Sequence, residues 1–125
     1  MPSDVKPIPD ECGLLRRITP NQIIHDANLG RRRLSSGAFR DQQLSVDAEC
    51  LLEIAGLDWN FSLRDYPQFF LIRIRAGQAR RHGQSVDHRP LESNEFHTEV
   101  IGRKSDSVRR DFVASAEWVK KPADV

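Results

Sequence analysis

The chain is poor in sulfur, poor in lysine and almost without net charge. Its only two cysteines, Cys12 and Cys50, lie far apart and outside any Cys-x-x-Cys pair. That spacing suggests neither a zinc ribbon nor a disulfide framework. The thiols therefore read as small buried hydrophobes, and the expected compartment is the reducing cytosol. No apolar run approaches the ~20 residues that span a bilayer, so no membrane contact is expected. The N-terminus, Met1-Pro2-Ser3-Asp4-Val5-Lys6-Pro7, lacks the charged and apolar regions of a signal peptide. Nineteen Lys and Arg against eighteen Asp and Glu leave a formal charge of +1. A generic basic coat for nucleic acid and an acidic tail are both excluded by that balance. No Walker A loop, His-Glu-x-x-His helix or Gly-x-Ser-x-Gly elbow occurs, so no metal, no cofactor and no complete catalytic motif are expected.

What is present suits one domain with a real core: 125 residues, 38% hydrophobic and 30% charged. The periodicities predict an α+β fold, with a small mixed sheet of three to five strands covered by a C-terminal helix and shorter helices. The expected organisation is an extended N-terminal arm over 1–13, a globular domain over 14–121 and a tail over 122–125. Strands are expected at 14–18, 44–46, 69–75, near Val86 and at 96–101. Thr19-Pro20 looks like the N-cap and first residue of a helix carrying Ile23, Ile24 and Ala27 and closed by Gly30. Asp47 looks like the cap of a helix over 48–55, and a short helix is expected over 76–82. The last helix should run from Ser105 or Asp106 to about Lys121, with Val108, Phe112, Ala116 and Val119 at helical spacing and Trp118 on a flank. Residues 31–47 have no clean period and read as loop.

Three constellations carry candidate chemistry. Arg31, Arg32, Arg33, Ser35 and Ser36 stand between Gly30 and Gly37, where forked guanidinium donors and hydroxyls suit a phosphate or carboxylate. Arg73, Arg75, Arg80 and Arg81 form a second basic stretch, with Arg89 beyond it and no acid between 73 and 86. The halves differ accordingly: residues 1–66 hold eight basic and ten acidic side chains, residues 67–125 eleven and eight. A local basic patch, able to meet nucleic acid or an acidic protein surface, thus hides beneath the neutral total. Third, His97 and Glu99 are two apart in a strand and so share a face, as an acid–base pair requires. In an enzyme, Ser35 or Ser36 would be the candidate nucleophile beside them.

The segments Ser35-Ser36-Gly37-Ala38-Phe39, Leu44-Ser45-Val46-Asp47 and Asn94-Glu95-Phe96-His97 occur in that order. They resemble a group of small bacterial proteins with the pattern Ser-Ser-x-Ala-Phe, Leu-Ser-Val-Asp and Asn-Pro-Ala-His-Ala. The likeness spans 14–118, with Glu95-Phe96 in place of Pro-Ala and Thr98 in place of the last alanine. It implies no activity, but marks Ser35, Ser36, Phe39, Ser45, Asp47 and His97 as a shared site or scaffold. Arg16 or Arg17, Ser35-Ser36 and Glu99 also follow the order of functional residues in ADP-ribosyltransferase toxins, a superficial similarity in a chain this short. The functional expectation is a non-catalytic accessory module that binds a larger protein, within a nucleoprotein assembly or outside one, through an Arg-rich surface. The alternative is a small enzyme or toxin acting on a nucleotide or nucleic acid, with His97 and Glu99 as acid–base pair.

Overall fold

Residues 4–123 and 125 are described by the computed structural model of the chain. The alternating run after Phe69 forms β5 (Phe70–Arg75), whose Leu71, Ile72 and Ile74 are buried. It pairs along its whole length with β1 (Gly13–Ile18). On the far side of β1 lie β4 (Gln43–Ala48), β7 (His97–Ile101) and β6 (Ser85–His88), while β8 (Glu117–Lys120) flanks β5. The order is β6-β7-β4-β1-β5-β8, and every neighbouring pair is antiparallel. A separate hairpin joins β2 (Ile23–Asp26) to β3 (Arg31–Leu34). Three helices, α1 (Glu49–Ile54), α2 (Ala76–Arg81) and α3 (Asp106–Ser115), complete the α+β architecture. The sheet is thus larger than expected, with six strands, and antiparallel rather than mixed.

Each departure from expectation has a local cause. Thr19-Pro20 does start a helical turn, but only the 3₁₀ turn Pro20–Gln22, with the Gln22 side chain accepting from the Thr19 N–H at 3.0 Å. The β-branched Ile23 and Ile24 then extend into β2. Asp26 Oδ1 accepts from the N–H groups of Asn28 and Leu29, and Gly30 turns the chain at φ +67°. Residues expected to be helix and loop therefore form the β2–β3 hairpin. At the other end α3 stops at Ser115, because Ala116 is extended at φ −67°, ψ 138°. Trp118 and Glu117 then pair opposite Ile72 and Arg73 as β8, so Trp118 lies on a strand rather than a helix flank. Asp47 is not a helix cap: Ala48 holds the N-cap position of α1.

Leu14, Ile18, Leu44, Val46, Ile72 and Val100 are buried along one set of alternating strand positions. The same core holds Phe39 from the turn Ser36–Phe39 and Phe112 from α3, edge to face at 5.4 Å. Cys12 and Cys50, expected as separate thiols, are joined as a disulfide with Cα atoms 5.4 Å apart. The pair ties the start of β1 to α1. Their spacing of 38 residues gave no sign of this, because only the β1–β4 register brings the two together. The segment before β1 lies against the fold: Ile8 is buried, Lys6 N–H donates to His88 Nδ1 at 3.0 Å, and Gly77 N–H donates to the Asp10 carbonyl at 2.8 Å. Of the expected arm and tail, residues 1–3 and 124 lie outside the described residues.

Candidate functional site

Strand register builds the first polar cluster. Asp47 lies opposite His97, and Ser45 opposite Glu99, so all four side chains leave the same face of β4 and β7. His97 Nδ1 sits 2.9 Å from the Arg89 carbonyl, an acceptor only, so this nitrogen carries the proton. Nε2 is then the acceptor for the Ser45 hydroxyl at 3.2 Å, with Glu99 Oε2 3.9 Å away. Glu99 in turn accepts from Arg89 at 3.2 Å. The expected His97–Glu99 pairing is present, but the hydroxyl on the ring belongs to Ser45, not to Ser35 or Ser36. Ser35 instead accepts from the Gly37 N–H and caps a turn.

Beside this group, Asp47 is buried and accepts from Ser62 Oγ at 2.6 Å and Asn94 Nδ2 at 2.7 Å. Arg17 Nη1 stands 3.9 Å from the same carboxylate, its guanidinium over the Tyr66 ring at 4.8 Å. The Leu-Ser-Val-Asp and Asn-x-x-His segments therefore meet residue by residue, Ser45 with His97 and Asp47 with Asn94. A void of about 20 Å³ lies among Leu15, Arg17, Ser45, Asp47 and His97. That is room for one water. Alternation in Leu44–Asp47 places Ser45 and Asp47 on one face from sequence alone; what sequence cannot supply is the cross-strand register.

The second candidate stretch is largely self-neutralised. Arg73 makes a bidentate pair with Glu49, both bonds 2.7 Å, which raises its pKa chiefly through that side-chain hydrogen bond. Arg75 reaches Glu117 at 3.4 Å, and Arg80 binds Asp10 at 2.7 Å and the Ile8 carbonyl. Arg81 donates to Gln78 at 2.7 Å. Arg73 and Arg75 thus tie α1 and β8 to β5, Arg80 ties the segment before β1 to α2, and Arg81 bonds within α2.

Arg31, Arg32 and Arg33 are placed differently. All three line a cavity of about 290 Å³, which shares Arg33 and Val113 with an adjoining one of about 550 Å³. Arg110 of α3 and Lys121 after β8 stand on other sides, with Leu34, Val113, Ala116 and Trp118 as apolar lining. Ser36 lines the larger cavity. Arg33 binds Asp26 at 2.7 Å and holds its carboxyl below the usual range, and Asp106 is paired with Arg109. Arg31, Arg110 and Lys121 have no side-chain hydrogen bond or ion pair among the described residues. Sequence reading missed Arg110, Lys121 and Trp118, since only the hairpin and β8 bring them beside Arg31.

Among the described residues no group of three or more His, Cys, Asp or Glu is placed to hold a metal ion. Nor, among those residues, is any helix long and apolar enough to cross a membrane. No protein-family model, curated protein or solved structure matches the chain.

Proposed function

We propose that the chain is a non-catalytic accessory module that docks on a larger protein through its Arg-rich face, the β2–β3 hairpin with α3. One observation carries this reading. The cations around that groove include three with no side-chain partner among the described residues, Arg31, Arg110 and Lys121, whereas Arg73, Arg75 and Arg80 are spent on internal acids. A surface that keeps unpaired charge together in a chain of net charge +1 is poised for an acidic partner. The reading is tested by native mass spectrometry of complexes isolated with wild type and with R31E/R110E. Loss of the partner in the variant supports it; an equally stable complex, or monomer alone from wild type, defeats it. The cytosolic compartment stays part of the proposal, and the cysteines test it. Alkylation during rapid denaturation labels both thiols of protein from a reducing cytosol and neither of protein from an oxidising compartment.

A second reading, an enzyme or toxin acting on a nucleotide or nucleic acid, draws on His97. Its Nε2 lone pair faces a hydroxyl and its tautomer is fixed by the Arg89 carbonyl, the geometry a general base needs. Against it stands the void of about 20 Å³ beside the ring, far below the ~300 Å³ of small ligand sites. Under this reading H97Q and E99Q abolish turnover at unchanged melting temperature; retained turnover in both removes it.

A further inference from the structure

The groove that gathers the unpaired cations also has the lining of a peptide site. Its walls come from β3, α3 and β8, and both strands are terminal in their sheets. Among the described residues β3 pairs with β2 alone, and β8 with β5 alone. Between the two strands the lining is apolar, from Leu34, Val113, Ala116 and Trp118. The half-buried Trp118 indole is a rigid contact for one apolar side chain. Arg31 and Lys121 stand on that same lining and Arg110 on the adjoining larger cavity, all three exposed.

Resting on the accessory-module reading above, we infer that this groove takes an extended, acidic segment of the partner protein. Its carboxylates meet Arg31, Arg110 and Lys121, and one aromatic or aliphatic side chain rests on Trp118. A peptide fits better than a nucleic-acid strand. The floor is mostly aliphatic, and a lone indole gives no succession of stacking positions.

The probe is a fluorescein-labelled ten-residue peptide of Asp and Glu with one central Phe, titrated by fluorescence anisotropy. The same peptide with Phe replaced by Gly, one with Lys for every acid, and a ten-nucleotide thymidine strand serve as comparisons. Binding of the acidic peptide is expected to weaken at least tenfold in R31E/R110E and about fivefold without the Phe. It should be unchanged in R40E/R103E, where two other exposed arginines are reversed. Trp118 fluorescence should shift on binding, and W118F should lose that shift without loss of fold. No binding by wild type, unchanged affinity in R31E/R110E, or tighter binding of the thymidine strand overturns the inference. If the peptide fails while capture of the larger partner still depends on Arg31 and Arg110, the acidic-segment inference falls and the accessory reading stands. If capture itself ignores those arginines, the reading falls first.

Discussion

Replacing Asp47 tests whether the meeting of the Leu-Ser-Val-Asp and Asn-x-x-His segments holds the fold. Its carboxylate is buried and receives bonds of 2.6 Å from Ser62 and 2.7 Å from Asn94, with the Arg17 guanidinium at 3.9 Å. It thereby joins β4 to the turn Trp59–Leu63 and to the segment leading into β7. A hydrogen bond to an ionised acceptor is worth about 1.5–3 kcal/mol, and D47A removes two while leaving a buried hydroxyl and a half-buried amide without that acceptor. Water entering the space offsets part of this, so the expected loss is about 3–5 kcal/mol. With a slope of about 2 kcal/mol per molar urea, the unfolding midpoint falls by roughly 2 M. N94A and S62A each cost about 1–2 kcal/mol. The double variant D47A/N94A costs less than the sum of its singles, since both remove the same bond. A loss below about 1 kcal/mol for D47A, or strict additivity with N94A, refutes the argument.

Three further predictions concern the frame around the site. Lys104 donates to the carbonyls of Gln42, Val100 and Gly102 at 2.9–3.2 Å, and burial pushes its ammonium from the ordinary 10.5 down to about 8. The unfolded chain then binds the proton more tightly than the folded one between pH 8 and 10.5. Stability should therefore rise with pH across that window, by at most about 3 kcal/mol. Urea titrations at pH 7.5 and 10.5 check this; a fall with pH, or a rise of the same size in K104M, contradicts it. Opening the Cys12–Cys50 bond, which closes a 38-residue separation, should cost about 4 kcal/mol through the freed unfolded chain. Unfolding with and without reductant reads this directly, and C12S/C50S should match the reduced protein. At Gly13 a Cβ would collide with Glu49 Oε1 and meet Arg73 Cδ at 3.0 Å. G13A should therefore break the Arg73–Glu49 pair and lower stability by about 1–3 kcal/mol, whereas G13A/E49A recovers part of that loss.

Legibility in the sequence followed the source of each element's stability. β5, α1 and α2 were readable to within a residue or two, because alternation, Gly56 and Gly83 mark them locally. The β2–β3 hairpin and β8 were not. Pro20 and the spacing of Val108, Phe112, Ala116 and Val119 are genuine helical signals, but tertiary pairing prevails over them: β8 covers the edge of β5, and Glu117 finds Arg73 and Arg75. The His97–Glu99 relation follows from strand period alone, while Ser45 as its hydroxyl neighbour needs the β4–β7 register. The two arginine runs looked alike in sequence. Arg73, Arg75 and Arg80 meet Glu49, Glu117 and Asp10 from distant segments, whereas in the other run Arg33 meets Asp26 within its own hairpin and Arg31 has no side-chain partner among the described residues.

Site-specific photo-crosslinking tests the central claim most directly. A benzophenone side chain at Ala114, exposed on the wall of the groove, should capture the partner protein in cells. The same group at Ile54 on α1, 80% exposed and outside that groove, should capture none. Capture from position 54 and not from 114 would place the partner elsewhere and contradict the account.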